Sequence, residues 1–153
     1  MLTDDKKFEV TFKVIGAPVG KARPRFTRTG HTYTPAKSKN YEKKIAQEAW
    51  VAMANKKLKP TECSVHVEMD AYLPVPVSWS KKKQNQARMG ALRPSKPDID
   101  NIIKAILDGC NKVIYNDDAQ VHSIRARKLY ETYENPPSID VKVSWVYYST
   151  SDI

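Results

Sequence analysis

Three segments of the chain alternate apolar and polar residues, the period of a strand with one buried face. In FEVTFKVIG, Phe8, Val10, Phe12 and Val14 fall on one side, and Glu9, Thr11 and Lys13 on the other. In CSVHVEMDAYLP, Cys63, Val65, Val67, Met69 and Ala71 oppose Ser64, His66, Glu68, Asp70 and Tyr72. In SIDVKVSWVYY, Ile139, Val141, Val143, Trp145 and Tyr147 share a face. The segment VHSIRARKLYETY reads as a further strand. Only the turn ENPPS separates it from the last one, so the pattern predicts an antiparallel pair. Helical spacing recurs twice. Residues 38–57 place Tyr41, Ile45, Glu48, Ala49 and Ala52 at helical intervals, with Ser38 as N-cap and Pro60 as the stop. Residues 101–112 carry a stripe of Ile102, Ile103, Ala105, Ile106, Gly109, Cys110 and Val113. Between these, residues 77–96 show no firm period and read as a long loop, at most with a helical turn. The order is β-α-β-loop-α-β-β. Its simplest packing is an α+β fold, a small mixed sheet with two helices on one face, in a single domain over residues 1–153.

Charge adds a partner to this picture. The 153 residues carry a formal net charge of +9, which points to a polyanion such as nucleic acid. The plain alternative is a soluble basic protein with no such partner, but the basic residues are clustered. Residues 17–40 hold Lys21, Arg23, Arg25, Arg28, Lys37 and Lys39 without one acid, interleaved with Phe26, His31 and Tyr33. The acid-free stretch 77–96 adds Lys81, Lys82, Lys83, Arg88 and Arg93. No apolar run approaches the ~20 residues of a membrane span, and the start of the chain does not read as a secretory signal. Cys63 and Cys110 lack metal-type spacing and are expected reduced and packed, as in a cytoplasmic protein. His31, His66 and His122 show no ligand spacing either.

The acids are clustered too. KPDIDNIIKAILDGCNKVIYNDDAQV, residues 96–121, contains Asp98, Asp100, Asp108, Asp117 and Asp118. If Asp98 to Asp100 is extended, the two carboxylates point to one side, about 7 Å apart at Cα. Two hard oxygen donors, joined by a third from another segment, suit Mg²⁺ or Mn²⁺. Asp117 or Asp118 supplies that third donor if the turn after the helix folds back. The helix is roughly 18 Å long, and residues 113–116 can return most of that distance. Lys104, one turn beyond Asp100, is placed to offset charge on a phosphate. Each acid also has a purely structural reading: Asp100 as an N-cap, Asp117–Asp118 as a turn pair, and Asp100, Lys104 and Asp108 as a surface ion-pair ladder.

This segment resembles the signature of the RusA family of Holliday junction resolvases, found in bacteria and prophages. The shared features are a D-x-D-N pair (Asp98, Asp100, Asn101), a lysine one turn on (Lys104), a helical Asp (Asp108) and a D-D-x-Q (Asp117, Asp118, Gln120). The stretch GKARPRFTRTGHTYTP followed by YE is similar to the basic loop of the Gram-positive, phage-borne branch. The resemblance implies a Mg²⁺-dependent, structure-selective endonuclease acting as a homodimer on branched DNA, with no membrane partner. It maps the essential acids onto Asp98, Asp100 and Asp118 as metal ligands, and the essential lysine onto Lys104. Asp108 and Asp117 stand behind them. The basic residues Lys21, Arg23, Arg25, Arg28, Lys37, Lys81, Lys82, Lys83, Arg88 and Arg93 would contact phosphates, and Phe26, Tyr33 or Trp79 would stack on bases or pack their loops. Two further readings stay open: a non-catalytic basic nucleic-acid-binding module, and a metal-dependent nuclease for another branched DNA or RNA.

Overall fold

In a computed structural model describing residues 5–33 and 35–148, four strands form one mixed sheet. They are β1 (Lys6–Ile15), β4 (Val65–Leu73), β5 (Val121–Tyr130) and β6 (Ser138–Tyr147), in the order β1-β6-β4-β5. The short strands β2 (Arg25–Phe26) and β3 (Thr32–Tyr33) make a separate hairpin within the basic loop. Three helices complete the fold: α1 (Ala36–Asn55), α2 (Lys81–Arg88) and α3 (Ile99–Cys110). Helices α1 and α3 pack together and cover the apolar face of the sheet, with α1 against β1 and α3 toward β5. The α+β architecture is the expected one.

Three details differ from the sequence pattern. First, β5 and β6 are not neighbours. β4 lies between them and pairs antiparallel with β6 and parallel with β5. Second, 77–96 is not a bare loop. Ser80 caps α2 by accepting the Lys83 amide at 3.2 Å. Trp79 packs edge-on to Tyr130, with Lys83 over its other ring face, and Arg88 binds Glu131 at 3.1 Å. Third, the helix ends move. α1 starts at Ala36 after Pro35, and Ser38 lies inside it, its buried hydroxyl accepting the Ala22 amide at 2.8 Å. The serine ties the basic loop to the helix rather than capping it. α1 stops before Pro60 is reached: Lys57 takes a left-handed conformation, and the Leu58 amide returns to the Met53 carbonyl at 2.9 Å. α3 begins at Ile99, two residues earlier than expected.

The core is the predicted one. Val10, Val14, Val65, Val67, Met69, Ala71, Ile139, Val141, Val143 and Trp145 line the covered face of the sheet. They meet Tyr41, Ile45, Ala49 and Met53 of α1, and Ile102, Ala105, Ile106 and Cys110 of α3. Tyr147, by contrast, is exposed. The opposite face of the sheet is an ion lattice, in which Lys13 meets Asp140 at 2.8 Å, Lys142 meets Glu68 at 3.4 Å and Arg125 meets Glu68 at 2.7 Å. Arg127 binds both oxygens of Asp70, at 2.8 and 3.0 Å.

α1 and α3 approach closely at Gly109. A Cβ there would lie 2.5 Å from Ile45 Cγ2 and 3.3 Å from the Glu42 carbonyl. Gly109→Ala is expected to destabilise the protein by about 1–3 kcal/mol through overpacking, read as a lower urea midpoint with an unchanged m-value.

The Arg127 hydrogen bonds hold the Asp70 carboxyl below the usual carboxylate range. A carboxyl lowered in the folded state stabilises above its unfolded pKa, and that stability is lost as pH falls through the folded value. The melting temperature should therefore fall below about pH 4. In Asp70→Asn it should start lower at neutral pH and fall less steeply on acidification.

Candidate active site

One flank of α3 carries Asp100, Lys104 and Asp108 at successive turns, on the side opposite its buried stripe. Asp98 stands at the N-cap with extended backbone, but its side chain caps nothing; it accepts Lys96 Nζ at 3.0 Å in the open. Asp100 lies in the first helical turn and its Oδ1 accepts the Asn101 amide at 2.9 Å. The two acids therefore do not form the same-side pair of an extended segment, and Asp100 is not the N-cap. Lys104 is exposed and makes no salt bridge among the described residues. Asp108 is not a free surface acid, because its Oδ2 lies 3.3 Å from Lys21 Nζ.

The turn that brings Asp117 and Asp118 back is held by two side chains. Tyr115 is fully buried and its hydroxyl donates to the Leu107 carbonyl at 2.7 Å, fixing the turn to the last coil of α3. Burial drives the phenol's pKa far above its ordinary value, so it stays a donor. Gln120 pins the other side. Its Oε1 accepts the Asn116 and Asp117 amides, each at 2.9 Å, and its Nε2 donates to the Thr61 and Cys63 carbonyls, each at 2.8 Å. Asp117 caps a short 3₁₀ turn, Asp118–Gln120, by accepting the Ala119 amide at 3.1 Å.

The Ala119 amide and then the hydrogen bond with Asp118 hold Asp117 below the usual carboxylate range. That same bond, burial, and the charges of Asp117 and Asp108 hold Asp118 above it, with Lys104 pulling the other way. Asp118 thus lies within the electrostatic reach of Lys104 and Asp108. Among the described residues no three His, Cys, Asp or Glu side chains are gathered closely enough to hold a metal ion. The donor chemistry nevertheless suits a hard divalent cation. The donors are carboxylate oxygens, and Asp117 and Asp118 are adjacent acids whose acidities are pushed in opposite directions.

Beside the start of α3 lies a cleft of about 590 Å³. Lys21, Arg25, Lys37 and Lys96 line it together with Asp98 and Asn101. Arg25 sits across the β2–β3 hairpin from Tyr33, while Phe26, 76% exposed, lies opposite Thr32 on the alternate side. Arg23, Arg28 and the three lysines Lys81, Lys82 and Lys83 are exposed. Arg93 folds back onto the Gly90 and Leu92 carbonyls. Two further expected DNA contacts also have other partners. Lys21 is held between Glu42 and Asp108, and Arg88 lies on Glu131 and the Tyr133 ring. Trp79 packs its own loop. Glu42 was visible only as the second residue of YE, with no role, and the sequence pattern did not single out Tyr115 or Lys128, whose ammonium donates to the Ser95 and Pro97 carbonyls at 2.9 and 3.2 Å. Their partners lie in distant segments, and no local periodicity marks them. Gln120 was visible as part of D-D-x-Q, but not as the pin of the turn.

The residues define a cleft with cationic walls at Arg25, Lys37 and Lys96 that opens at the start of the helix carrying Asp100, Lys104 and Asp108. Residues 16–144 match the family described as endodeoxyribonuclease RusA. The chain is also similar to YqaN, an uncharacterized protein of Bacillus subtilis (strain 168). The two are 37% identical over 140 residues, covering 88% of this chain and 94% of YqaN. The protein belongs to the RusA family of endodeoxyribonucleases.

If Gln120 sets the position of Asp118, Gln120→Ala leaves several backbone groups without partners. It should lower stability by about 1–3 kcal/mol. Hydrogen exchange at the Asn116 and Asp117 amides should rise more than exchange in the core of β4.

Proposed function

We propose that this protein is a Mg²⁺-dependent, structure-selective endodeoxyribonuclease that resolves four-way DNA junctions by paired symmetric nicks. Family membership gives the class. The observation that carries the rest is Asp118 within the electrostatic reach of an unpaired Lys104, on the helix flank that Lys104 shares with Asp100 and Asp108. The reaction is attack of water on a phosphodiester, with departure of the sugar oxygen opposite. Asp98, Asp100 and Asp118 would hold the divalent ion. When bound, the ion lowers the pKa of water and offsets charge developing on the phosphoryl oxygens.

The chain's own residues do the rest. Lys104 presents an ammonium to a non-bridging oxygen, where it stabilises the transition state more than the ground state. Arg25 and Lys37, in the cleft beside Asp98, hold phosphates without reading bases. Arg23, Arg28, Lys81, Lys82 and Lys83 extend that contact along the arms. A four-way junction is close to two-fold symmetric, so a homodimer with one site per subunit matches paired nicks. No helix among the described residues is long and apolar enough to cross a membrane. The free cysteines, Cys63 half-buried and Cys110 buried, fit a reducing cytoplasm.

A labelled four-way junction should be nicked symmetrically with Mg²⁺ and left intact with a chelator. Duplex, single strands and RNA should compete poorly at matched salt. Asp100→Asn should lower cleavage by roughly 100-fold or more, the scale of losing one transition-state contact. Junction binding should stay equal or become tighter. A protein that binds junctions but nicks nothing under any divalent ion is a binding module, and preferential cleavage of RNA or another branched form would reassign the substrate.

A further inference from the structure

Lys104 and Asp108 lie four residues apart on one flank of α3, the spacing at which a lysine and a carboxylate pair readily. They do not pair here. Asp108 Oδ2 is instead 3.3 Å from Lys21 Nζ, and the same ammonium binds Glu42 Oε1 of α1. The Lys21 side chain is only 15% exposed, wedged in the seam between the two helices. Its backbone is fixed as well: the Lys21 amide donates to the Asn101 carbonyl at 2.8 Å. The preceding Gly20 presses on α3 so closely that a Cβ would lie 3.0 Å from Pro97 and 3.1 Å from Asn101. Burial pulls the ammonium's pKa down, but Glu42 and Asp108 more than reverse this, and the net shift is upward. Lys21 touches the wall of the cleft but its ammonium is committed to two carboxylates, unlike Arg23 and Arg25 on the same loop, which are exposed.

We propose that Lys21 is a positioning residue for the reaction: by occupying Asp108 it keeps Lys104 unpaired and available to the substrate phosphate. Glu42 keeps Lys21 in the seam when DNA arrives, because leaving would strand two half-buried carboxylates. The inference rests on the nuclease reading above, since a free Lys104 matters to catalysis only if this face acts on a phosphodiester. It replaces the expectation that Lys21 is a phosphate contact, and the two make opposite predictions.

The experiment is a cycle of Lys21→Met, Lys21→Arg and Lys21→Met/Asp108→Asn. In Lys21→Met, Asp108 should capture Lys104. The expected result is a roughly tenfold fall in kcat, the scale of one lost charge compensation in a half-buried site. Junction Kd and its salt dependence should be unchanged. Removing Asp108 as well should restore most of the kcat, and Lys21→Arg should retain it. Weaker binding, a salt slope smaller by about one charge and no rescue by Asp108→Asn would make Lys21 a DNA contact and overturn the proposal. If Lys21→Met does not fold, the charge-balanced Lys21→Met/Glu42→Gln should show the same kcat loss and the same rescue. A second readout needs no cleavage. Acylation of Lys104 by a water-soluble reagent, followed by peptide mass spectrometry, should be slower in Lys21→Met and return to wild type in the double variant, because a neighbouring carboxylate holds an amine protonated. Equal Lys104 acylation in wild type and Lys21→Met would overturn the proposal even if the wild type cuts junctions. A wild type that cuts nothing would instead sink the nuclease reading, leaving acylation to decide whether Lys21 frees Lys104.

Discussion

The rotation of α3 about its own axis is the constraint on which the site depends. Ile102, Ala105, Ile106 and Cys110 are sunk between α1 and the sheet, and at Gly109 the two helices touch with no room for a methyl group. A helix turns about 100° per residue, so any slip of that contact would swing the opposite flank. Asp100, Lys104 and Asp108 are aligned because the other side of the helix has only one way to pack. Close packing of the core thus fixes the direction of charged side chains that make few packing contacts themselves.

The second half of the site has to be returned to that flank by a chain that has just left the helix. Tyr115 and Gln120 do this with hydrogen bonds, and Tyr115 also sinks its ring into the core. Both satisfy backbone groups that an irregular turn would otherwise leave open. The result is a crowd of like charges. Within it Asp117 is held below the usual carboxylate range and Asp118 above it, and Asp108 is balanced by Lys21. Lys104 is the cation of the group that is left uncommitted.

The sequence carried the elements better than their neighbours. β1, β4 and β6 were legible because each buries alternate side chains completely or nearly so. The β5–β6 hairpin was a false reading, since a short connection need not join paired strands. The inner face of β5 offers Val121, Ile124, Ala126, Lys128 and Tyr130, none of them fully buried. That is an edge strand's content, whereas the apolar rows of β4 and β6 demand neighbours on both sides. α2 escaped notice because its exposed positions are all polar and only Ala87 is buried. The acid motif was legible because it is contiguous. The Lys21–Glu42–Asp108 contact was not, because it joins three segments that meet only after α1 and α3 have packed.

The net charge of +9 is distributed in a way the total conceals. On the open face of the sheet, Lys13, Lys142, Arg125 and Arg127 are matched by Asp140, Glu9, Glu68 and Asp70. That face contributes almost nothing to the field beyond a Debye length of about 8–10 Å. The positive excess therefore sits with the loops and helices on the other side, around the cleft and on α2. The carboxylates of α3 would repel a phosphate diester if they stood alone. Because Arg25 and Lys37 flank them instead of pairing with them, attraction of the backbone and concentration of acids coexist a few ångströms apart. Had those cations interleaved with the acids, each set would have cancelled the other, and the face would bind neither a phosphate nor a cation.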